Sequence, residues 1–329
     1  MPEPRELTFA QAIREALAEE MRRDSHVCIL GEDVAEAGTP FKVLSGLLEE
    51  FGTDRVLDTP ISEAGFTGLA VGAAMTGLRP VVDIMFGDFI TLTMDQMVNQ
   101  AAKVHYMSGG KWNVPMVMRT TLGATRRSAA QHSQSLHAWF SHVPGLKVVL
   151  PSTPYDAKGL LKTAIRDQNP VVFFEDKMMY KLKGPVPEEE YTIPFGVADI
   201  KRAGRDITIV ATSSMLQVAL GAATLLQKEE ISAEVIDPRT TWPLDEKALI
   251  ESAQKTSRVI VVDEGYGRYG VTAEIASVIA EGAFYELDAP VKRMGAMHVP
   301  IPFSPPLEDT TVPTENSVFE VARELCGRS

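Results

Sequence analysis

One carboxylate in this 329-residue chain stands apart by its surroundings. Glu63 opens the run Ser62-Glu-Ala-Gly-Phe-Thr-Gly-Leu-Ala-Val-Gly-Ala-Ala74, where no other charged side chain follows. Gly65, Gly68 and Gly72 recur at spacings of three and four, which places them on one helix face and lets another backbone approach. A lone acid at the mouth of an apolar cleft is placed for proton transfer. The same acid also suits a helix N-terminus for dipole reasons alone, and spacing leaves both readings open.

Other residues could carry chemistry. His132, in Gln131-His-Ser-Gln134, follows a loop that begins at Gly123, and loops on a rigid sheet often carry functional side chains. His137 and His142 follow at five-residue intervals, which do not share a helix face, and no cysteine is near, so a zinc site is not expected. Arg126-Arg127 in the same loop could meet an anionic substrate or partner, although solvent exposure is the simpler expectation. Gly265-Tyr-Gly-Arg-Tyr-Gly270 matches the dinucleotide-binding pattern G-x-G-x-x-G. Its late place in the chain, and bulky Tyr266, Arg268 and Tyr269 where pyrophosphate needs open backbone, favour a plain strand-to-helix turn. Ala164-Ile-Arg-Asp-Gln-Asn169 ends a helix before a proline, where carbonyls with Asp167 could hold a hard monovalent cation or form an ordinary C-cap.

These residues need a scaffold. Thr8-Phe-Ala-Gln11 reads as a capping box opening a helix with Ile13, Ala16, Leu17 and Met21 on one side. Apolar runs at 26–30, 80–86, 114–120, 146–150 and 170–175 read as strands, and 64–76, 89–107 and 155–167 as helices between them. Continuous apolar strands bracketed by helices imply a mainly parallel sheet covered on both faces. The proline- and charge-rich tract 181–194 reads as a linker. Beyond it, strands are expected at 206–211, 233–237, 258–263 and 291–294, and helices at 214–228, 245–256 and 271–284. The fold class is therefore α/β, two doubly wound domains over 1–180 and 195–329, without an internal repeat.

Composition sets the bounds. With 45% hydrophobic and 23% charged residues the chain is an ordinary globular protein, and its net charge of −12 supplies no basic footprint for nucleic acid. Cys28 and Cys326 are too far apart to suggest a disulfide framework or a metal knuckle. Residues 1–6 lack the basic and apolar regions of a secretory signal, and no apolar run is long enough to span a bilayer, so a cytoplasmic protein without a membrane partner is expected.

Ordered blocks along the chain carry a resemblance. Ile61-Ser-Glu-Ala-Gly-Phe-Thr-Gly68 is followed by Phe86-Gly-Asp-Phe89, Asp95-Gln-Met-Val-Asn-Gln-Ala-Ala-Lys103 and Tyr106-Met-Ser-Gly-Gly110. Then come Gln131-His-Ser-Gln134, Pro144-Gly-Leu-Lys-Val-Val149, Ala164-Ile-Arg-Asp-Gln-Asn-Pro-Val-Val172 and Pro302-Phe-Ser-Pro-Pro-Leu-Glu-Asp309. In this order they resemble the β subunit of thiamine-diphosphate-dependent 2-oxo acid dehydrogenases, the E1 family. The fold so implied is a transketolase-like pyrimidine-binding domain followed by a transketolase C-terminal-like domain.

The resemblance implies roles. Glu63 would hydrogen-bond N1′ of the cofactor's aminopyrimidine and favour its imino tautomer, while Ile61 and Phe89 would line that ring. The tract Ile90-Thr-Leu-Thr93 departs from the family, where other members often place a polar side chain near the ring. His132 would face substrate and assist transfer to the lipoyl group. Met116, Ala164, Ile165, Asp167 and Asn169 would form a potassium site. In this family the loop matching 265–270 is not a nicotinamide site.

No segment carries the G-D-G and N-N pattern that holds Mg2+ and the diphosphate, so the resemblance implies an E1 α subunit that holds them, in an α2β2 heterotetramer. The glycine face after Glu63 would then be a subunit contact. The C-terminal domain would contribute to docking of the E2 lipoyl acyltransferase. Among small ketones and 2-oxo acids, the tracts 177–188, 191–199 and 84–89 look most like the acetoin dehydrogenase branch, with pyruvate next and branched-chain 2-oxo acids after it. Two readings from other classes are a stand-alone NAD-binding oxidoreductase and a noncatalytic assembly subunit.

Overall fold

The computed structural model describes residues 5–327, so part of the N-terminal tract read for a signal lies outside the described residues. Two compact units emerge. One comprises residues up to Leu122 with Trp139–Phe195, the other Gly123–Ala138 with the chain from Gly196 onward.

In the first unit six parallel strands lie in the order Lys147–Val149, Val171–Asp176, Val117–Leu122, Arg79–Ile84, Val27–Gly31 and Val56–Asp58. Every residue of Val117–Leu122 and Val171–Asp176 is buried, as expected of central parallel strands covered on both faces. Helix Phe9–Arg23 starts at the expected capping box, in which the Thr8 side chain takes the Gln11 amide and the Gln11 side chain takes the Thr8 amide. It buries Ile13, Ala16, Leu17 and Met21 and packs on helix Pro154–Arg166. Ion pairs seal that contact: Lys158, fully buried, meets Glu15 at 2.6 Å and Glu19 at 2.8 Å, and Arg166 meets Glu20 at 2.6 Å.

Two expectations change here. The tract read as a linker clusters with the first unit: Lys183–Pro185 pairs antiparallel with Glu6–Thr8, and Val186 and Ile193 bury in that unit's core. The single helix expected at 89–107 is three segments, a 3-10 stretch Gly87–Thr93, a π stretch Asp95–Ala101 and an α-helix Ala102–Met107. The hydroxyls of Thr91 and Thr93 donate to the carbonyls of Asp88 and Ile90 three residues back, competing with the regular helix ladder.

The second unit holds a five-stranded sheet in the order Lys292–Ala296, Val259–Tyr266, Ile207–Ala211, Ala233–Asp237 and Asp199–Arg202. Only the last strand runs antiparallel to its neighbour. Leu216, Ala219, Ala223 and Leu226 of helix Met215–Lys228 pack one core cluster with Val318 and Ala322 of helix Glu315–Leu325. Leu249 and Ala253 of helix Glu246–Thr256 pack a second with Ile275 and Ile279 of helix Val271–Gly282. The helix Glu315–Leu325 and the edge strand were not anticipated, although Thr314 and Ser317 form a capping box. Among the described residues no helix is long and apolar enough to cross a membrane.

Candidate functional site

The first cluster lies at the C-terminal ends of two neighbouring strands, where α/β sheets place ligands. Val27–Gly31 ends at Glu32 and Val56–Asp58 runs into Thr59, whose amide donates to the Gly31 carbonyl at 2.9 Å. Glu63 is the first residue of helix Glu63–Met75 and is 8% exposed. Glu32, which sequence reasoning missed, stands beside it. Burial pushes the Glu32 carboxyl above its ordinary value, the charges of Glu63 and Asp33 push it further, and the Ser62 amide opposes them. Glu32 Oε1 and Thr59 Oγ1 are buried without a hydrogen-bond partner among the described residues. Unsatisfied buried polar atoms beside two carboxylates fit a polar ring such as an aminopyrimidine.

The glycine face is partly used by the chain itself. A Cβ at Gly68 would stand 3.1 Å from Gln96 Oε1, so the helix lies close against the π stretch. A Cβ at Gly72 would meet nothing within 4 Å. Leu69, one turn from Gly72, is 65% exposed, and Ile61, just before the helix, is 85% exposed.

Phe89 sits in the 3-10 stretch, half-buried, and the helix opened by Glu63 packs on that stretch. Its ring meets Phe86 edge-on at 5.9 Å. Phe86 meets Phe41 at 5.6 Å, and Phe41 meets Tyr180 at 5.2 Å. Tyr180, whose ring also meets Phe9 at 6.3 Å, donates its hydroxyl to Glu175 at 2.9 Å. Glu175 in turn takes two hydrogen bonds from Arg119, at 2.9 and 2.7 Å, while Arg119 Nη1 meets Asp83. Burial pushes Asp83 up to about 6, against the pull of Arg119, and Glu175 adds to the rise. Three charges on adjacent buried strands escaped sequence reading because they sit inside runs that otherwise look apolar. Of the two polar side chains in Ile90-Thr-Leu-Thr93, Thr93 is fully buried and donates to the Ile90 carbonyl, whereas Thr91 is exposed.

The residues expected to bind potassium lie together in the first unit. The carbonyls of Ile165 and Asp167 accept from Arg79 Nη1 at 2.9 and 3.0 Å, and the Met116 carbonyl accepts from the Val171 amide at 3.0 Å. The Ala164 carbonyl accepts from the Asp167 amide at 3.3 Å. Asp167 Oδ1 takes the Asn169 amide at 2.8 Å, and its Oδ2 pairs with Lys147. These acceptors are hard oxygens with a second lone pair each, of the kind a monovalent cation takes, and two of them already face the cationic Arg79 guanidinium.

His132 belongs to the second unit, with its whole loop. Thr125, Arg127 and Ala129 take φ of 64°, 62° and 58°, and strain of about 1 kcal/mol or more at each must be offset by fixed contacts. Those contacts are buried carboxylates. The Ala124 amide donates to Glu264 Oε1 at 2.5 Å, and Ser214 donates to Glu264 Oε2 at 3.0 Å. His137, 1% exposed, meets Asp263 Oδ2 at 3.1 Å. Burial alone would raise Asp263; His137 by charge and hydrogen bond, with the Thr212 hydroxyl and Gly265 amide, outweighs it and holds the carboxyl low. Arg126 is exposed as expected, and Arg127, whose side chain stays 35% exposed, also has a partner that was not anticipated. Its backbone amide and Nη1 both reach Glu308 Oε2, at 3.2 and 2.7 Å, and Glu308 is fully buried.

The sequence 265–270 forms a strand-to-helix turn. Gly265 lies in strand Val259–Tyr266 and Gly270 caps helix Val271–Gly282. A Cβ at Gly270 would stand 2.2 Å from the Tyr266 carbonyl oxygen, so backbone packing accounts for that glycine.

Residues 5–183 match the family of the transketolase pyrimidine-binding domain, and residues 196–318 match that of the transketolase C-terminal domain. A solved structure, a split-gene transketolase in an inactive beta4 tetramer, superposes with a TM-score of 0.79 at 22% identity over 98% of both chains, a likeness of fold. The class is thus transketolase-like. The chain is 51% identical, over 98% of both chains, to the acetoin:2,6-dichlorophenolindophenol oxidoreductase subunit beta of Bacillus subtilis (strain 168). It is 50% identical to the pyruvate dehydrogenase E1 component subunit beta of Rickettsia felis over 98% of both chains. To the 2-oxoisovalerate dehydrogenase subunit beta of B. subtilis it is 45% identical, over 97% of this chain and 98% of that one. The chain belongs to the β subunits of the thiamine-diphosphate-dependent E1 dehydrogenases.

Proposed function

We propose that this chain supplies the proton-handling half of an active site completed by an E1 α subunit. The observation that carries the reading is the buried Glu63 beside Glu32 at the strand ends, with two buried polar oxygens left unsatisfied. When bound, thiamine diphosphate supplies the carbon nucleophile that breaks the bond next to the substrate carbonyl. The chain's own part is orientation and proton control. Glu63 holds a proton at the pyrimidine N1′, Ile61 and Phe89 line the ring, and the row of rings behind Phe89 fixes its edge. His132 serves transfer to the lipoyl arm. The α subunit holds Mg2+ with the diphosphate, in an α2β2 heterotetramer, and exposed Ile61 and Leu69 beside the glycine face suit that contact. The oxygens of Met116, Ala164, Ile165, Asp167 and Asn169 hold K+.

The substrate is acetoin, supported by the 51% likeness to the acetoin oxidoreductase subunit and by the tracts at 84–89, 177–188 and 191–199. Acetoin and lipoyl disulfide give acetaldehyde and S-acetyl-dihydrolipoyl, so the disulfide is reduced as the acetyl group is formed. Pyruvate and 2-oxoisovalerate are the alternatives set by the other relatives. The acyl acceptor is the lipoyl group of an E2 acyltransferase, and the complex is cytoplasmic.

The test is dichlorophenolindophenol reduction by the chain mixed with its α subunit, thiamine diphosphate and Mg2+. The three substrates are compared, with Glu63→Gln alongside. Activity that needs both chains and falls at least a hundredfold in the variant is expected, and activity surviving the substitution overturns the assignment.

A further inference from the structure

We propose that Arg127 is a positioning residue: through Glu308 it fixes the 123–138 loop so that His132 is presented for acyl transfer. The inference rests on the role given to His132 above.

Five observations carry it. Arg127 is committed twice to one carboxylate oxygen, by its backbone amide and by Nη1, and Nη1 also meets Asp309 at 2.7 Å. Glu308 is fully buried, and its other oxygen makes no hydrogen bond, so Arg127 is what balances that charge among the described residues. Arg127 holds a left-handed φ of 62°, a conformation an arginine keeps only when its surroundings hold it. The loop is pinned again at His137 by Asp263, and His132 lies midway between the two pins. An amide bonded to Glu264 fixes the loop's start at Ala124. Nine residues lie between Arg127 and His137, and Ser133, Ser135 and Leu136 among them are buried, so the stretch that depends on Arg127 is 128–132. Removing the Arg127 side chain loosens the segment on the N-terminal side of His132 and shifts the histidine while leaving the core of the unit in place.

The step at stake moves the acetyl group to one lipoyl sulfur while the other sulfur leaves as a thiol. A misplaced His132 slows that step, whereas dye reduction bypasses the lipoyl arm.

The experiment uses the reconstituted holoenzyme with a free lipoyl domain, comparing wild type with Arg127→Ala, Arg127→Lys, His132→Ala and the Arg127→Ala/His132→Ala double variant. Acetylation of the lipoyl domain and dye reduction are each resolved into kcat and KM. Amide hydrogen exchange is followed over 124–135. Arg127→Ala is expected to cut kcat for lipoyl acetylation about tenfold more than kcat for dye reduction, and to speed exchange in the loop. Arg127→Lys recovers most of the loss, and the double variant is no slower than His132→Ala. Equal loss in both assays, or unchanged acetylation in Arg127→Ala, overturns the proposal. Wild-type acetylation by His132→Ala overturns the role given to His132 instead; the clamp is then upheld by faster loop exchange in Arg127→Ala and overturned by its absence.

Discussion

Arg119 binds Glu175 through two nitrogens, at 2.9 and 2.7 Å, and turns its remaining nitrogen to Asp83, all three residues being 5% exposed or less. One guanidinium thus stands between two carboxylates on three adjacent strands. Burial makes the second negative charge costly, and Asp83 titrates at about 6 for that reason. Above that pH the folded chain carries a charge that its unfolded form accommodates easily. A carboxyl whose folded pKa is raised binds more protons when folded, so its contribution to stability falls as pH rises from about 4 to about 6. Asp83→Asn removes that slope. Urea unfolding of the isolated chain at pH 4 and pH 7 should therefore show the variant gaining on wild type by up to about 3 kcal/mol across the interval. A constant difference between the two pH values would refute the cost assigned to Asp83.

Arg119 itself answers in the opposite sense. Removing the guanidinium leaves Asp83 and Glu175 facing each other in the core with no cation between them. Arg119→Met should destabilise the chain by about 3–5 kcal/mol at pH 7, less at pH 4, as measured by the denaturant midpoint. Glu175, which accepts the Tyr180 hydroxyl at the base of the row from Tyr180 through Phe41 and Phe86 to Phe89, loses the two Arg119 bonds that orient it, so affinity for thiamine diphosphate in the reconstituted enzyme should also fall.

Glu32 reports on Glu63. Burial is the larger cause of its raised pKa, and the Glu63 charge is the next. Glu63→Gln should move the Glu32 titration downward while leaving it above an ordinary glutamate. Carbon-13 NMR of glutamate-labelled chain measures this without cofactor or partner. A Glu32 titration unmoved by Glu63→Gln would show that the two carboxylates are not electrostatically coupled.

Much of this was written in local pattern. The capping box at Thr8 and the apolar strand runs follow from short-range rules, and strands such as Ala233–Asp237 fall where alternation placed them. What escaped depends on partners distant in sequence. Glu32 gains meaning only because Thr59 and Glu63 arrive beside it from the next strand. Arg127 looked solvated because its partner, Glu308, lies 181 residues away. The broken helix at 87–107 hid for a different reason: threonine hydroxyls bonding three residues back leave the apolar periodicity intact while changing the winding.

The glycines after Glu63 separate packing within the chain from packing against another. Gly68 lies against Gln96, so a methyl group there meets an atom at 3.1 Å, whereas one at Gly72 meets open space. In an exposed helix interior, glycine costs about 1 kcal/mol relative to alanine. Gly72→Ala should therefore raise the stability of the isolated chain by about 0.5–1 kcal/mol in denaturant unfolding. If the face is the seat of the α subunit, the same methyl group intrudes on a close backbone approach. Sedimentation of the mixed subunits should then show weaker assembly by the more stable variant. Stability and assembly rising together would place the α subunit elsewhere on the chain.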